Sequence, residues 1–305
     1  MRRIGMAAVL LLGIWIMADR ALSGQDLNRF TRTVTVKGLG PSGVEGLSFP
    51  VLDYGEGSPV LLLHGFPDDH LLWRNQVKEL PTAGLRVIAP DLRGFGDAPR
   101  PSDPAEYGLD IAAKDVIGIL DALRIEQVQM VAHDWGAALG WRIAGLYPQR
   151  ISRYAALSVG APGAAPSAEQ KEKSAYMLFF RKPGVEDEIK RDDWKWFRTW
   201  LRNAPDTNRY IERLSRPGAL TAGLNWYRAS NARPADAAPL VVSCPVLGVW
   251  SDGDAYLTEE QVKTSGERIK GSFQYEKITG ASHWMMLDKP NELNRLLLKF
   301  LEREL

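Results

Sequence analysis

Short apolar runs alternate with amphipathic stretches through the first half of the chain. Arg32–Lys37 (RTVTVK) and Leu47–Tyr54 (LSFPVLDY) predict opening strands, joined by a loop rich in Gly, Pro and Ser. Pro59–Leu63 (PVLLL) is apolar throughout, the pattern of a parallel strand covered on both faces. A helix is predicted over Leu71–Leu80, a strand over Leu85–Ala89 and a helix over Leu109–Leu123, where Ile111, Val116, Ile117, Leu120 and Leu123 share a face. Val128–Ala132, Ala137–Tyr147 and Ile151–Leu157 continue as strand, helix and strand. This repetition predicts an α/β fold with a doubly wound, mostly parallel sheet.

The rhythm breaks between Gly160 and Ala238, a polar stretch rich in Trp and Arg with helical pieces such as Asp192–Leu201. It predicts a helical insertion over one end of the sheet. The sheet resumes at Pro245–Trp250 and Phe273–Ile278. Thr258 and Gln261 have the spacing of a capping box. Pro290 marks the start of a last helix ending close to Leu305. The expected organisation is a core of residues 25–160 and 239–305 with a helical cap of residues 161–238.

Two arginines precede an uninterrupted apolar run, Ile4–Ala18. At about 1.5 Å per residue it reaches roughly 22 Å, short of a bilayer core of about 30 Å. Residues 1–24 are therefore expected to be a signal peptide or a retained membrane anchor, and the protein's membrane contact. The alternative is a true start at Met6 or Met17, which would leave the protein cytoplasmic.

A length of 305 residues with 45% hydrophobic composition suits one large α/β domain with an insertion. A net charge of +1 gives no reason to expect a nucleic-acid partner. With Cys244 alone, an intramolecular disulfide and a cysteine metal site are both excluded.

Four segments carry candidate chemistry, each just after an apolar strand. In Ala132-His133-Asp134-Trp135-Gly136, small residues flank Asp134 two places on either side, as a nucleophile elbow requires. A carboxylate there can attack carbon and form an ester that water must then hydrolyse. His64-Gly65-Phe66-Pro67-Asp68 follows PVLLL, so the backbone N–H of Phe66, with that of Trp135, is a candidate oxyanion hole. His283, in Gly280-Ala281-Ser282-His283-Trp284, is the best placed of four histidines to act as base. His64 and His133 look structural, and His70 stands in reserve. Asp252 or Asp254, after the strand PVLGVW, would orient the base.

Together these segments resemble the epoxide hydrolases of the α/β-hydrolase superfamily. HGFPD is similar to their HGFPE-type loop, AHDWGA to their GHDWGA elbow, VWSDGDAYL to their WGxxDxxL acid segment, and GASHWMMLDKP to their ASHW-type histidine loop. Asp91-Leu92-Arg93-Gly94-Phe95-Gly96 resembles a further family loop. Two positions depart from the pattern, with Asp68 in place of Glu and Ala132 in place of Gly. The resemblance implies Asp254 as the acid. It also implies Tyr176 and Tyr227, in cap segments YMLFF and LNWYR, as the hydroxyls that hold the epoxide oxygen. No cofactor or metal is implied; the partners are a small epoxide and water. A haloalkane dehalogenase would share the Asp nucleophile, but beside Trp135 a second halide-binding N–H is not evident. A silent fold member acting as a binding protein would not need candidates for every catalytic role.

Overall fold

The computed structural model describes residues 24–36, 46–163, 165–202, 204–229 and 240–302. Eight described strands form one sheet: β1 (Thr31–Val36), β2 (Leu47–Tyr54), β3 (Ser58–Leu63), β4 (Leu85–Pro90), β5 (Val128–His133), β6 (Ile151–Leu157), β7 (Val246–Gly253) and β8 (Phe273–Ser282). Their order is β1-β2-β4-β3-β5-β6-β7-β8, antiparallel at β1–β2 and β2–β4 and parallel elsewhere. This is the α/β-hydrolase arrangement of a mostly parallel sheet. In β3, Val60, Leu61, Leu62 and Leu63 are all fully buried, which is why that strand carries no polar alternation.

The order reverses at β3. The chain adds β4 on one side of it and then crosses over to place β5 on the other. At such a switch point the loops beyond the carboxyl ends part and leave a crevice. The loop after β3 holds His64–Asp68, and the turn after β5 holds Asp134.

Between β6 and β7 lie helices Ala168–Lys173, Tyr176–Phe180, Val185–Trp200, Thr207–Leu214 and Ala219–Ala229, with no named strand among the described residues. The expected helix starting at Asp192 is corrected. Val185–Trp200 breaks at Arg191–Trp194, where Asp192, Asp193 and Trp194 take left-handed φ of 51°, 53° and 62°. The break buries Trp194 against Phe197. The expected helix over Leu71–Leu80 is a 3-10 turn, His70–Trp73, then Arg74–Glu79, then a second 3-10 turn from Leu80 that contains Pro81.

The capping box is also corrected. Thr258 stands at the N-cap of Glu259–Lys263 but its side chain caps nothing. Its backbone N–H, which the box would hand to Gln261, is taken instead by Gln170 Oε1 at 2.9 Å. A side chain from the insertion has displaced the local partner. The last helix runs Pro290–Leu301 with Pro290 in its first turn, and residues 303–305 lie outside the described residues. The apolar run Ile4–Ala18 also lies outside them, and no described helix is long and apolar enough to cross a membrane.

Candidate active site

Asp134 occupies the turn between β5 and helix Trp135–Leu146 with φ 54° and ψ −125°. A non-glycine residue there costs on the order of 1–3 kcal/mol, and such strain persists only where the surroundings enforce it. Here they do so by close approach. A Cβ on Gly136 would stand 2.4 Å from the carbonyl oxygens of both Leu63 and His64. A Cβ on Gly65 would stand 2.2 Å from Asp134 Oδ1. The two glycines let the loops after β3 and β5 touch, and that contact puts the carboxylate over the HGFPD loop.

The two carboxylate oxygens face different partners. Oδ1 accepts the Phe66 N–H at 2.8 Å, and Oδ2 lies 3.6 Å from His283 Nε2. Burial would raise the Asp134 carboxyl, but the His283 ring and the Trp135 N–H outweigh it and hold the group below its ordinary value. Asp134 is therefore an anion at neutral pH, with the Phe66 N–H donating to one oxygen.

His283 Nδ1 meets Asp254 Oδ2 at 2.8 Å. Asp254 Oδ1 accepts the N–H groups of Tyr256 at 2.9 Å and Leu257 at 3.0 Å, so its orientation is set by backbone. Asp252 points elsewhere and accepts the Gly280 N–H at 2.7 Å. That settles which carboxylate faces the base. Burial opposes the imidazolium, yet Asp254 and Asp134 together push the His283 pKa up to about 10. The ring of His133 lies 4.3 Å from that of His283 and is driven down to about 3 by burial, so it is a neutral wall.

The other histidines are joints. His64 Nε2 accepts the Leu92 N–H at 3.0 Å, tying the HGFPD loop to the DLRGFG loop. His70 Nδ1 pairs with Asp91 at 2.7 Å rather than with Asp134. Among the described residues, Asp69, His70 and Asp91 are a cluster of metal-ligating type. Those groups are already committed, His70 to Asp91, and Asp69 to Arg209 at 2.6 Å and Arg213 at 3.2 Å.

Both expected tyrosines reach this centre from the insertion. The Tyr227 ring lies 5.1 Å from that of Trp135 and 5.5 Å from that of Phe66, and the Tyr176 ring lies 6.1 Å from that of Tyr227. Tyr227 is held by its neighbour, because Trp226 Nε1 donates to the Arg93 carbonyl at 2.9 Å. Arg93 is itself fixed by Asp115 at 2.7 and 2.8 Å. Arg181 Nε donates to the Tyr227 carbonyl at 2.9 Å. Burial keeps both phenols well above their usual pKa, helped at Tyr176 by the charge of Asp134 and at Tyr227 by Tyr176 and then Asp134. Both hydroxyls therefore keep their protons and are donors.

Sequence reasoning missed two residues, Tyr256 and Trp200, and gave a third, Asp68, no role. Tyr256 lays its ring 5.1 Å from that of His283 and donates its hydroxyl to the Trp200 carbonyl at 2.6 Å. Trp200 packs 6.0 Å from Phe66. Asp68 accepts Trp284 Nε1 at 3.0 Å. Tyr256 had a signal in standing two places after the acid; Trp200 had none. The assembled site offers a part-buried carboxylate, two N–H donors, an acid-oriented imidazole and two phenolic O–H groups.

Comparison with known proteins bears on the fold and the family of the chain. The sequence profile of the α/β-hydrolase fold matches residues 58–192. The chain is 32% identical to AB hydrolase superfamily protein YfhM of Bacillus subtilis over 82% of this chain and 92% of that protein. It is 32% identical to epoxide hydrolase A of Mycobacterium tuberculosis over 84% of this chain and 94% of that protein. The crystal structure of epoxide hydrolase A from Mycobacterium thermoresistibile superposes with a TM-score of 0.72 at 27% identity, covering 89% of this chain and 97% of that one.

Proposed function

The chain belongs to the α/β-hydrolase fold family, among its epoxide hydrolases, and we propose that it opens an epoxide to a vicinal diol through an ester on Asp134. Asp134 Oδ2 attacks a ring carbon while Tyr176 and Tyr227 donate to the ring oxygen. The C–O bond breaks, a tyrosine proton passes to the alkoxide, and an alkyl ester remains on Asp134. Residues 161–238 act as the cap that carries both hydroxyls.

Esterification removes the Asp134 charge. That charge is one of the groups raising His283, so its loss lowers the imidazole pKa when a base is needed. His283 then takes a proton from water, and the hydroxide attacks Cγ of the ester. The developing oxyanion stands at Oδ1, where Phe66 N–H already donates at 2.8 Å and Trp135 N–H is adjacent. Collapse, with His283 returning its proton to the leaving oxygen, releases the diol with the oxygen that was Oδ2; the water oxygen stays in Asp134, and the proton that the regenerated Asp134 carboxyl sheds restores the tyrosine.

The observation that carries this reading is the division of the Asp134 carboxylate, one oxygen against a backbone donor and the other toward the base. A single turnover in heavy-oxygen water with enzyme in excess tests it. The first diol should be unlabelled and the label should appear in the peptide containing Asp134. Label in the first diol would mean direct attack by water.

A further inference from the structure

The acid of the site stands on a loop, and the insertion holds that loop. Asp254 Oδ1 takes the N–H groups of Tyr256 and Leu257, so its carboxylate aims where the backbone of residues 254–258 puts it. Helix Ala168–Lys173 of the insertion bonds that backbone through two side chains. Gln170 Nε2 donates to the Tyr256 carbonyl at 2.9 Å, and Gln170 Oε1 accepts the Thr258 N–H at 2.9 Å. Lys173 Nζ donates to the Asp254 carbonyl at 2.8 Å and to the Leu257 carbonyl at 3.4 Å.

The two side chains do not hold the loop equally. Lys173 is partly exposed and also pairs with Glu169 at 3.6 Å, so water can stand in for it. Gln170 is only 3% exposed. Its own place is set on both sides. Ser167 Oγ accepts the Gln170 backbone N–H at 3.2 Å, and Gln170 Nε2 also donates to Ser174 Oγ at 2.7 Å. Tyr256 and Thr258 are buried as well, so loss of the amide would leave a carbonyl and an N–H without partners. Orphaned backbone groups in the interior are costly, and a loop relieves that cost by changing shape. A change of shape here turns Asp254 away from His283 Nδ1, which it meets at 2.8 Å, and shifts the Tyr256 ring that lies 5.1 Å from the imidazole.

We propose that Gln170 is a positioning residue for hydrolysis of the ester: it touches no reacting atom, but it sets the loop that aims Asp254 at His283. The inference rests on the epoxide-hydrolase reading of the site. It gives the insertion a part in both steps, since Tyr176 and Tyr227 serve ester formation and Gln170 serves ester breakdown.

Gln170→Leu tests it, with whichever of styrene oxide and 1,2-epoxyhexane the wild type turns over faster. The variant should lose about tenfold in kcat, the scale of one or two buried hydrogen bonds. KM should fall with kcat, so that kcat/KM changes less than kcat, because ester formation is spared. Intact-mass measurement should find the ester accumulating on the peptide containing Asp134. In the resting variant, proton NMR should place the His283 pKa lower by roughly half a unit or more, as weaker contact with Asp254 requires. If Gln170 merely seated the insertion, its loss would displace Tyr176 and Tyr227 instead. Then kcat/KM would fall as far as kcat, no ester would accumulate and His283 would titrate as in the wild type; that result overturns the proposal. If Gln170→Leu does not fold, Gln170→Glu is judged by the same outcomes, since it keeps the acceptor for Thr258 and loses only the donor to Tyr256. Absence of diol from the wild type with both epoxides would remove the epoxide reading and this role with it. A wild type that forms diol beside a variant with unmoved His283 would overturn the role of Gln170 alone.

Discussion

Trp284 Nε1 donates to Asp68 at 3.0 Å across 216 residues of chain, joining the loop after β3 to the loop that carries His283. Asp68 is buried, and its one cationic contact among the described residues is Arg209 from the insertion at 3.4 Å. The Trp284 ring lies edge-on to that of His283 at 5.2 Å, so this bond fixes one wall of the base.

Burial raises the Asp68 carboxyl to about 7 from an ordinary 3.8, with Arg209 and Trp284 pulling the other way. The folded protein therefore keeps a proton there that the unfolded chain has released. Stability falls as pH rises through that window and levels off above it. Asp68→Asn can accept the same Trp284 bond with no charge to bury. Urea denaturation should show its stability, relative to wild type, improving by on the order of 1–3 kcal/mol from pH 5 to pH 8. A difference that stays constant with pH would mean that Asp68 does not titrate in that range.

Asp134→Ala removes the proposed nucleophile and one of the two carboxylates that raise His283. Turnover should fall by at least about a hundredfold. Proton NMR of the histidine ring protons, assigned with His283→Gln, should show the His283 pKa lower by roughly one unit or more. An unshifted titration would separate the two residues electrostatically and remove the argument for base activation by esterification.

His283→Gln should slow hydrolysis of the ester more than its formation. Intact-mass measurement after mixing with an epoxide should find the enzyme heavier by one substrate, with the addition on the peptide containing Asp134. A fully active, unmodified variant would place the base elsewhere.

Tyr176→Phe and Tyr227→Phe each delete one O–H donor and keep the ring. Each should lower epoxide turnover, and the double variant should lose about a hundredfold or more, the usual scale of proton donation. A double variant within a few-fold of wild type would refute the assignment. Halide leaves as a stable anion and needs only N–H donors, so the wild type should release none from short haloalkanes. Halide release without diol would favour the dehalogenase reading.

Much of this protein was legible along the chain. The strands β3, β5 and β7 are largely buried on both faces, and that burial writes itself as the apolar runs PVLLL and PVLGVW and, interrupted only by Gln129, VQMVA. Asp134 could be picked out because a turn this tight admits only small flanks, and Gly136 stands 2.4 Å from clashing with two carbonyl oxygens. His283 followed from its place just beyond the last strand. These features depend on contacts between neighbours in sequence or on the fixed hand of a parallel sheet, so local pattern specifies them.

Only the tertiary structure decided the rest. Position after the strand leaves Asp252 and Asp254 open, and only the family resemblance favoured Asp254; in the fold the Gly280 N–H claims Asp252, and Asp254 turns to His283. Thr258 and Gln261 satisfy a capping pattern that Gln170, 88 residues earlier, overrides. Trp200 carries no signal in the sequence; the break at Arg191–Trp194 and the bond from the Tyr256 hydroxyl to its carbonyl set it beside the site. In each case the deciding partner lies far along the chain, in an insertion whose helices owe their position to side-chain packing. No periodicity records such a partner, because its distance in sequence is set by chain topology and its distance in space by how the helices pack.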